Sequence, residues 1–269
     1  MACKPSIDTH THVFTRSLSL VPERRYTPGY DALLMDLIDR LDANGLEGAV
    51  LVQPSFLGTD KAFLIEALAV QPQRLRGVVV VDANTPVDAL AVLHEAGVRG
   101  QRFNLMGRPT DAIFDPAWRE AFDWMRAHDW HVEVHDRAER LSPIVKHLRT
   151  FGLRIVVDHF GLPDPALGAQ DTDWRGLFAD PSGGCDGADV FVKLSAAYRL
   201  GGLSPSDLTD ELITMIGSDH LLWGSDWPWT QHEQANTYER CVMDFDHWIS
   251  GKTDVAAAIE QATRRVFDF

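Results

Sequence analysis

Two histidines, His10 and His12, stand two residues apart in the run Ile7-Asp8-Thr9-His10-Thr11-His12-Val13-Phe14. Side chains alternate along an extended strand, so both rings face one side. Two imidazoles on one face suit a divalent metal ion or the polarisation of a carbonyl group. A pair of surface histidines is the plainer alternative. His135, His159 and Asp226 add weight, because each closes a β-rich run of its own. Asp226 sits in Trp223-Gly224-Ser225-Asp226-Trp227-Pro228, where the flanking tryptophans and proline would hold the loop and limit water. A carboxylate there can act as a general base toward a bound water, or simply cap the next helix.

Arg102, Arg108 and Arg199 form a second group. Guanidinium forks match planar carboxylates two-pronged, so three around one site point to an anionic substrate. On a chain this rich in Asp and Glu, each could equally be a surface ion pair. Ser55 could donate to a substrate oxygen, and Tyr26 lies on a long loop that could cover the site. Lys193, within a strand, reads as the partner of a neighbouring carboxylate. Trp118, Trp124, Trp174 and Trp248 fall in helical segments and are expected in the core, while Trp227 and Trp229 flank the site. There is no GxSxG elbow and no cysteine beside a plausible histidine partner, so a covalent route is unsupported.

The elements that must position these residues are eight β-rich runs. They span Ser6–Phe14, Glu47–Pro54, Leu75–Ala83, Val98–Met106, Trp130–Asp136, Arg154–Gly161, Val190–Ala196 and His220–Pro228. Several are continuously apolar, as in Val78-Val79-Val80-Val81, which suits strands covered on both faces. Between them lie helical patterns. Asp31–Asn44 puts Leu33, Leu34, Leu37, Ile38 and Leu41 on one face, with Gly45 as C-cap. Thr85-Pro86 opens Val87–Ala96, Asp115-Pro116 opens Ala117–His128, and Ser142-Pro143 opens a helix ending near Gly152. Asp207–Ile216, Glu233–Ile249 and Asp254–Phe267 complete the set. Gly161–Cys185 reads as a long loop with a short helix near Trp174–Phe178. Eight such units predict an α/β (β/α)8 barrel over residues 1–269 as one domain. An open doubly wound sheet fits less well, because no GxGxxG follows the first run. A barrel carries its chemistry at the C-terminal ends of its strands, where the residues above lie.

The chain has 269 residues and a formal net charge of −14, which repels nucleic acid and anionic membranes. Cys3, Cys185 and Cys241 are scattered and lack CxxC spacing, so reduced thiols are expected. No secretory leader and no membrane span are legible, and a cytoplasmic location is expected. The oligomeric state stays open.

IDTHTHVF at 7–14, RRYTP at 24–28, QPSFLGTD at 53–60, GVRGQRFNLMGR at 97–108, VVDHFG at 156–161 and LLWGSDWP at 221–228 together resemble the amidohydrolase superfamily. Within it they resemble the lactonase branch that includes the pyrone-dicarboxylate hydrolases. The resemblance implies a barrel that opens a cyclic ester with water. His10, His12, His159 and Asp226 would be catalytic. Tyr26, Ser55, Arg102, Arg108 and Arg199 would bind substrate carboxylates, with His135 beside them. Two positions depart from the branch: His135 replaces a tyrosine and Leu162 replaces an arginine, which leaves the exact lactone open.

Metal-binding superfamily members suggest His10, His12, His135, His159 and Asp226 as ligands of a single zinc ion. Strand four ends in Arg102-Phe103-Asn104 and supplies no bridging lysine, so a binuclear centre is not expected. The favoured expectation is a hydrolase needing no cofactor and acting on a small anionic lactone similar to 2-pyrone-4,6-dicarboxylate. Asp226 is its general base, and the histidines polarise the carbonyl. The alternatives are a zinc enzyme that hydrolyses or isomerises a sugar-acid lactone, a decarboxylase of an aromatic acid, and a degenerate barrel that only binds an anion.

Overall fold

A computed structural model describes residues 3–179 and 190–269. Cys185 and the end of the 161–185 segment lie outside the described residues. Eight parallel strands form one sheet in chain order. They are β1 (Ile7–Thr11), β2 (Gly48–Val52), β3 (Leu75–Val79), β4 (Val98–Asn104), β5 (His131–His135), β6 (Arg154–Val157), β7 (Val190–Leu194) and β8 (Leu221–Trp223). The sheet closes on itself where Thr11 bridges Trp227 in parallel. On either side of that bridge, the N–H of His12 donates to the Trp227 carbonyl and the N–H of Asp226 to the His10 carbonyl, both at 2.9 Å. The result is the expected (β/α)8 barrel, with helices outside the strands.

The helices are α1 (Leu34–Asn44), α2 (Ala62–Val70), α3 (Val87–Glu95), α4 (Trp118–Ala127), α5 (Ala138–Arg149), α6 (Thr172–Phe178), α7 (Pro205–Ile216), α8 (Tyr238–Trp248) and α9 (Thr253–Phe267). Two differ from the sequence reading. α5 begins a turn before Ser142-Pro143 and carries Pro143 inside it. Arg137 and Ala138 already lead into the apolar face of Ala138, Leu141, Ile144 and Val145, and that packing outweighs one missing N–H near the helix start. The sequence reading assigns no helix between β2 and β3, yet α2 lies there. Its sequence, AFLIEALAV, is apolar on nearly every side, so periodicity hides its inward face. None of the described helices is long and apolar enough to cross a membrane.

Alternation along the strands sorts side chains into two cores. Val132, Val134, Ile155, Val157, Val192 and Leu194 face the helices. Val50, Val52, Val78, Val156, Phe191 and Leu222 face inward and meet Ala262, Val266 and Phe267 of α9, which fill one end of the barrel. The inward row of β5 is His131, Glu133 and His135, all buried, so it carries the polar groups toward the other end.

Gly224 is required where β8 meets β1. A Cβ there would lie 2.8 Å from the His10 backbone nitrogen and 2.6 Å from the His10 Cβ. The close approach it permits brings Asp226 against the two histidines.

Candidate active site

A cavity of about 430 Å³ opens at the C-terminal ends of the strands. Of the residues singled out from sequence, His12, Tyr26, Ser55, Arg102, His135, His159, Arg199 and Asp226 line it. His10 lies just beneath, fully buried. Arg108 is not among the lining residues; its carbonyl accepts from Arg140 instead.

Asp226 Oδ1 lies 3.5 Å from Nε2 of His10 and 3.5 Å from Nε2 of His12. The His10 and His12 rings meet edge to face, and His159 is 4.9 Å from His10 between centroids. His12 Nδ1 bonds to the Val52 carbonyl at 2.7 Å, and His159 Nδ1 to Ser195 Oγ at 2.8 Å. Both His159 and Asp226 have left-handed backbones, with φ of 53° and 59°. That conformation costs about 1–3 kcal/mol at a residue other than glycine, and such strain clusters at functional sites.

Several groups that sequence reasoning passed over belong to the same space. Tyr198 donates its hydroxyl to Asp226 Oδ2 in a short hydrogen bond, and Arg199 Nε stands 3.7 Å from the same oxygen. Arg25 and Arg137 add guanidinium-bearing walls, with Arg25 Nη2 on Asn104 Oδ1 at 3.1 Å. Tyr198 neighbours the chosen Arg199, and Arg25 the chosen Tyr26; adjacency was the available signal. Tyr26 itself donates to Glu233 Oε1 at 2.9 Å. Trp227 and Trp229 are buried in the core instead of lining the cavity.

Below the cavity, the barrel interior holds a buried ionic cluster. Arg102, 3% exposed, bonds to Asp158 Oδ2 through Nη2 at 2.8 Å and lies 3.0 Å from Glu133 Oε1. Lys193 contacts Glu133 at short range and lies 3.1 Å from His10 Nδ1. Two cations and two carboxylates offset one another, which is the condition for keeping buried charges ionised. The Arg102 guanidinium, read from sequence as a substrate grip, is thus engaged within the protein.

Burial raises the Asp226 carboxyl, but His159, His12, Arg199 and His10 outweigh it and hold Asp226 well below the usual carboxylate range. Asp226 is therefore ionised at neutral pH. Burial pushes His159 down to about 3 against the pull of Asp226 and Asp158. Burial also lowers His10, with Lys193 adding to it, and lowers His135 strongly, with His159 and Arg102 adding to it. All three rings are therefore neutral at pH 7. Burial and Asp226 push Tyr198 up, so it remains a donor.

Among the described residues, three groups of buried side chains bring possible metal ligands together: His10 with His159 and Asp226, His135 with Asp158 and His159, and His10 with Glu133 and Asp158. Asp158 and Glu133 are already taken by Arg102 and Lys193. The remaining group requires a lone pair from His10. Its Nδ1 faces the Lys193 ammonium, where a metal-binding histidine normally presents an N–H to a carbonyl or carboxylate. The residues therefore fit a zinc ion poorly.

A family model described as amidohydrolase matches residues 7–269. The chain is 31% identical over 259 residues to a 2-pyrone-4,6-dicarboxylate hydrolase of Comamonas testosteroni, covering 89% of this chain and 82% of the relative. It is 30% identical over 232 residues to a 4-sulfomuconolactone hydrolase of Rhizobium radiobacter, covering 84% and 76%. Its fold matches a crystal structure of a probable 2-pyrone-4,6-dicarboxylic acid hydrolase from Acinetobacter baumannii with citric acid bound. That match has a TM-score of 0.90 and 32% identity, and covers all of both chains.

Proposed function

The chain belongs to the amidohydrolase family, and from that membership we propose that it is a hydrolase that opens an anionic lactone with water. The observation that carries the reading is the ionised carboxylate of Asp226, 3.5 Å from Nε2 of both His10 and His12 beside an arginine-bearing cavity. The relatives named as hydrolases of a pyrone dicarboxylate and of a sulfomuconolactone share that chemistry: a cyclic ester bearing carboxylate or sulfonate groups. The Acinetobacter protein carries bound citric acid, a polycarboxylate, which supports an anionic ligand.

In the proposed mechanism, Asp226 takes a proton from water as the water oxygen attacks the lactone carbonyl carbon. The carbonyl oxygen becomes an oxyanion, stabilised by hydrogen bonds from the His10 and His159 rings. His12 gives its Nδ1–H to Val52 and joins as a donor only when its ring carries both protons. The ring C–O bond then breaks, and Asp226 returns its proton to the departing oxygen. Arg199 and Arg25 grip the anionic substituents, Tyr26 and Ser55 border them, and His135 contributes a neutral ring. We assign Arg102 to holding Asp158 and Glu133, and Arg108 to the loop outside the cavity.

The test is ultraviolet-monitored turnover of 2-pyrone-4,6-dicarboxylate and 4-sulfomuconolactone, with product analysis in ¹⁸O-labelled water. Hydrolysis puts one solvent oxygen into the new carboxylate, whereas isomerisation or decarboxylation of a substrate puts none there. Failure of the folded protein to open either ring would remove this reading.

A further inference from the structure

We propose that Lys193 fixes His10 in the tautomer whose proton sits on Nε2, making His10 a hydrogen-bond donor toward the cavity and closing that nitrogen to a metal ion. An ammonium has three donors and no acceptor. The Lys193 Nζ lies 3.1 Å from His10 Nδ1, so the nitrogen it faces must supply a lone pair. A neutral imidazole has one N–H, which then sits on Nε2.

The competing arrangement would place the proton on Nδ1 and give it to Asp158. Asp158 Oδ1 is 3.3 Å from Nδ1, farther than the Lys193 ammonium and not aligned for a hydrogen bond, although its charge attracts a proton on the ring. Asp158 spends Oδ2 on Arg102 at 2.8 Å. His10 Nε2 is also buried without a hydrogen bond, 3.5 Å from Asp226 Oδ1. An unpaired N–H beneath the floor of a substrate cavity is where an oxyanion would be received.

Lys193 stays in place because β7 directs it inward, fully buried, against Glu133, with Asp158 Oδ1 at 3.8 Å. His12 shows the opposite arrangement two residues further on, just past the end of β1: its Nδ1 meets a carbonyl, the usual support for a metal-binding ring. The two histidines of one motif are thus prepared for different tasks. Lys193 acts through His10 and is a positioning residue.

The experiment uses the full chain with ¹⁵N-labelled histidine rings. Long-range ¹H–¹⁵N correlation at pH 7 reads which ring nitrogen carries the proton. His10 signals are assigned by their loss in His10→Asn. The expected result is a protonated Nε2 and a bare Nδ1, unchanged on adding zinc chloride. A proton on Nδ1, or loss of the Nε2 proton with zinc, overturns the proposal. In Lys193→Met the proton should move to Nδ1; a folded variant that keeps it on Nε2 removes the role of Lys193. If that variant does not fold, the wild-type spectra with and without zinc still decide. No turnover is measured, so this outcome is separate from the lactone reading.

Discussion

The backbone N–H of Asp226 donates to the carbonyl of His10 at 2.9 Å, so the carboxylate rides on the seam that closes the barrel. Its side chain and the rings of His10 and His12 are held by main-chain pairing between the two ends of the chain. Replacing Asp226 by Asn leaves that pairing intact. The variant should fold, with a melt lowered by the lost charge pairing of the carboxylate, while kcat falls about 10²–10⁴-fold, the usual contribution of a general base. Lactone turnover and a thermal melt check both halves; full activity in a folded variant would remove Asp226 from the mechanism.

Gly224 permits that seam to close. Gly224→Ala puts a methyl group 2.8 Å from the His10 backbone nitrogen, which cannot swing away. Crowding of this kind costs about 1–3 kcal/mol, and the seam carries the base. Denaturant unfolding should show that loss together with reduced kcat, whereas unchanged stability would mean the strands separate freely there.

Arg199 stands at the cavity with Nη2 on the Thr230 carbonyl at 3.3 Å, leaving further donors for a ligand. Arg199→Met should raise KM by roughly ten- to a hundred-fold, matching a charged hydrogen bond of about 1.5–3 kcal/mol. Arg199→Lys should restore little, because an ammonium cannot bind two-pronged. An unchanged KM in Arg199→Met would take the grip away from this residue.

Tyr198 donates to Asp226 Oδ2 and so favours the ionised carboxylate. In Tyr198→Phe the Asp226 pKa should rise. The acidic limb of kcat/KM, expected below the ordinary carboxylate range in the wild type, should then move to higher pH. A pH–rate profile from pH 3 to 8 measures the shift; coincident limbs would separate Tyr198 from the base.

Buried neutral histidines set the pH dependence of stability. His159 falls to about 3 in the folded protein, and His10 and His135 are lowered too. Their unfolded value is about 6.5, so below it the unfolded chain takes up protons that the native state refuses. Stability is full above about pH 6.5 and is lost as pH falls from there toward the folded values. The lowered carboxyls Asp158 and Asp226 lose their contribution only below about pH 4, their unfolded value being about 3.9. Urea unfolding at pH 7 and pH 5 therefore reads the histidines, at about 1.4 kcal/mol per pH unit for each proton, with the buried Asp8 carboxyl, raised by desolvation, working in the opposite sense. His135→Gln should flatten the slope by up to one proton; equal stability at the two pH values would mean these rings are protonated when folded.

The order of the eight strands, the two-residue spacing of His10 and His12, and the polar residues closing most runs were legible from the chain alone. Strand alternation and helix periodicity are local, and a barrel with parallel neighbours places every strand end on one rim. Partnership was not legible. Arg102 and Arg199 look alike as guanidiniums near strand ends and both border the cavity, yet Arg102 is tied to Asp158 and Glu133 at its floor while Arg199 stands beside Asp226. Lys193 met the carboxylate expected of it, but nothing local in β7 indicates His10 Nδ1 at 3.1 Å. Tyr198 lies beyond a strand end, and only the turn at Ala196, with φ of 50°, brings its hydroxyl to Asp226. Sequence by itself determined which groups reach the rim, because that follows from period and element order. Tertiary structure decided which of them are already paired and which face the cavity, because hydrogen bonding and charge pairing act over a few ångströms between strands that only closure brings together.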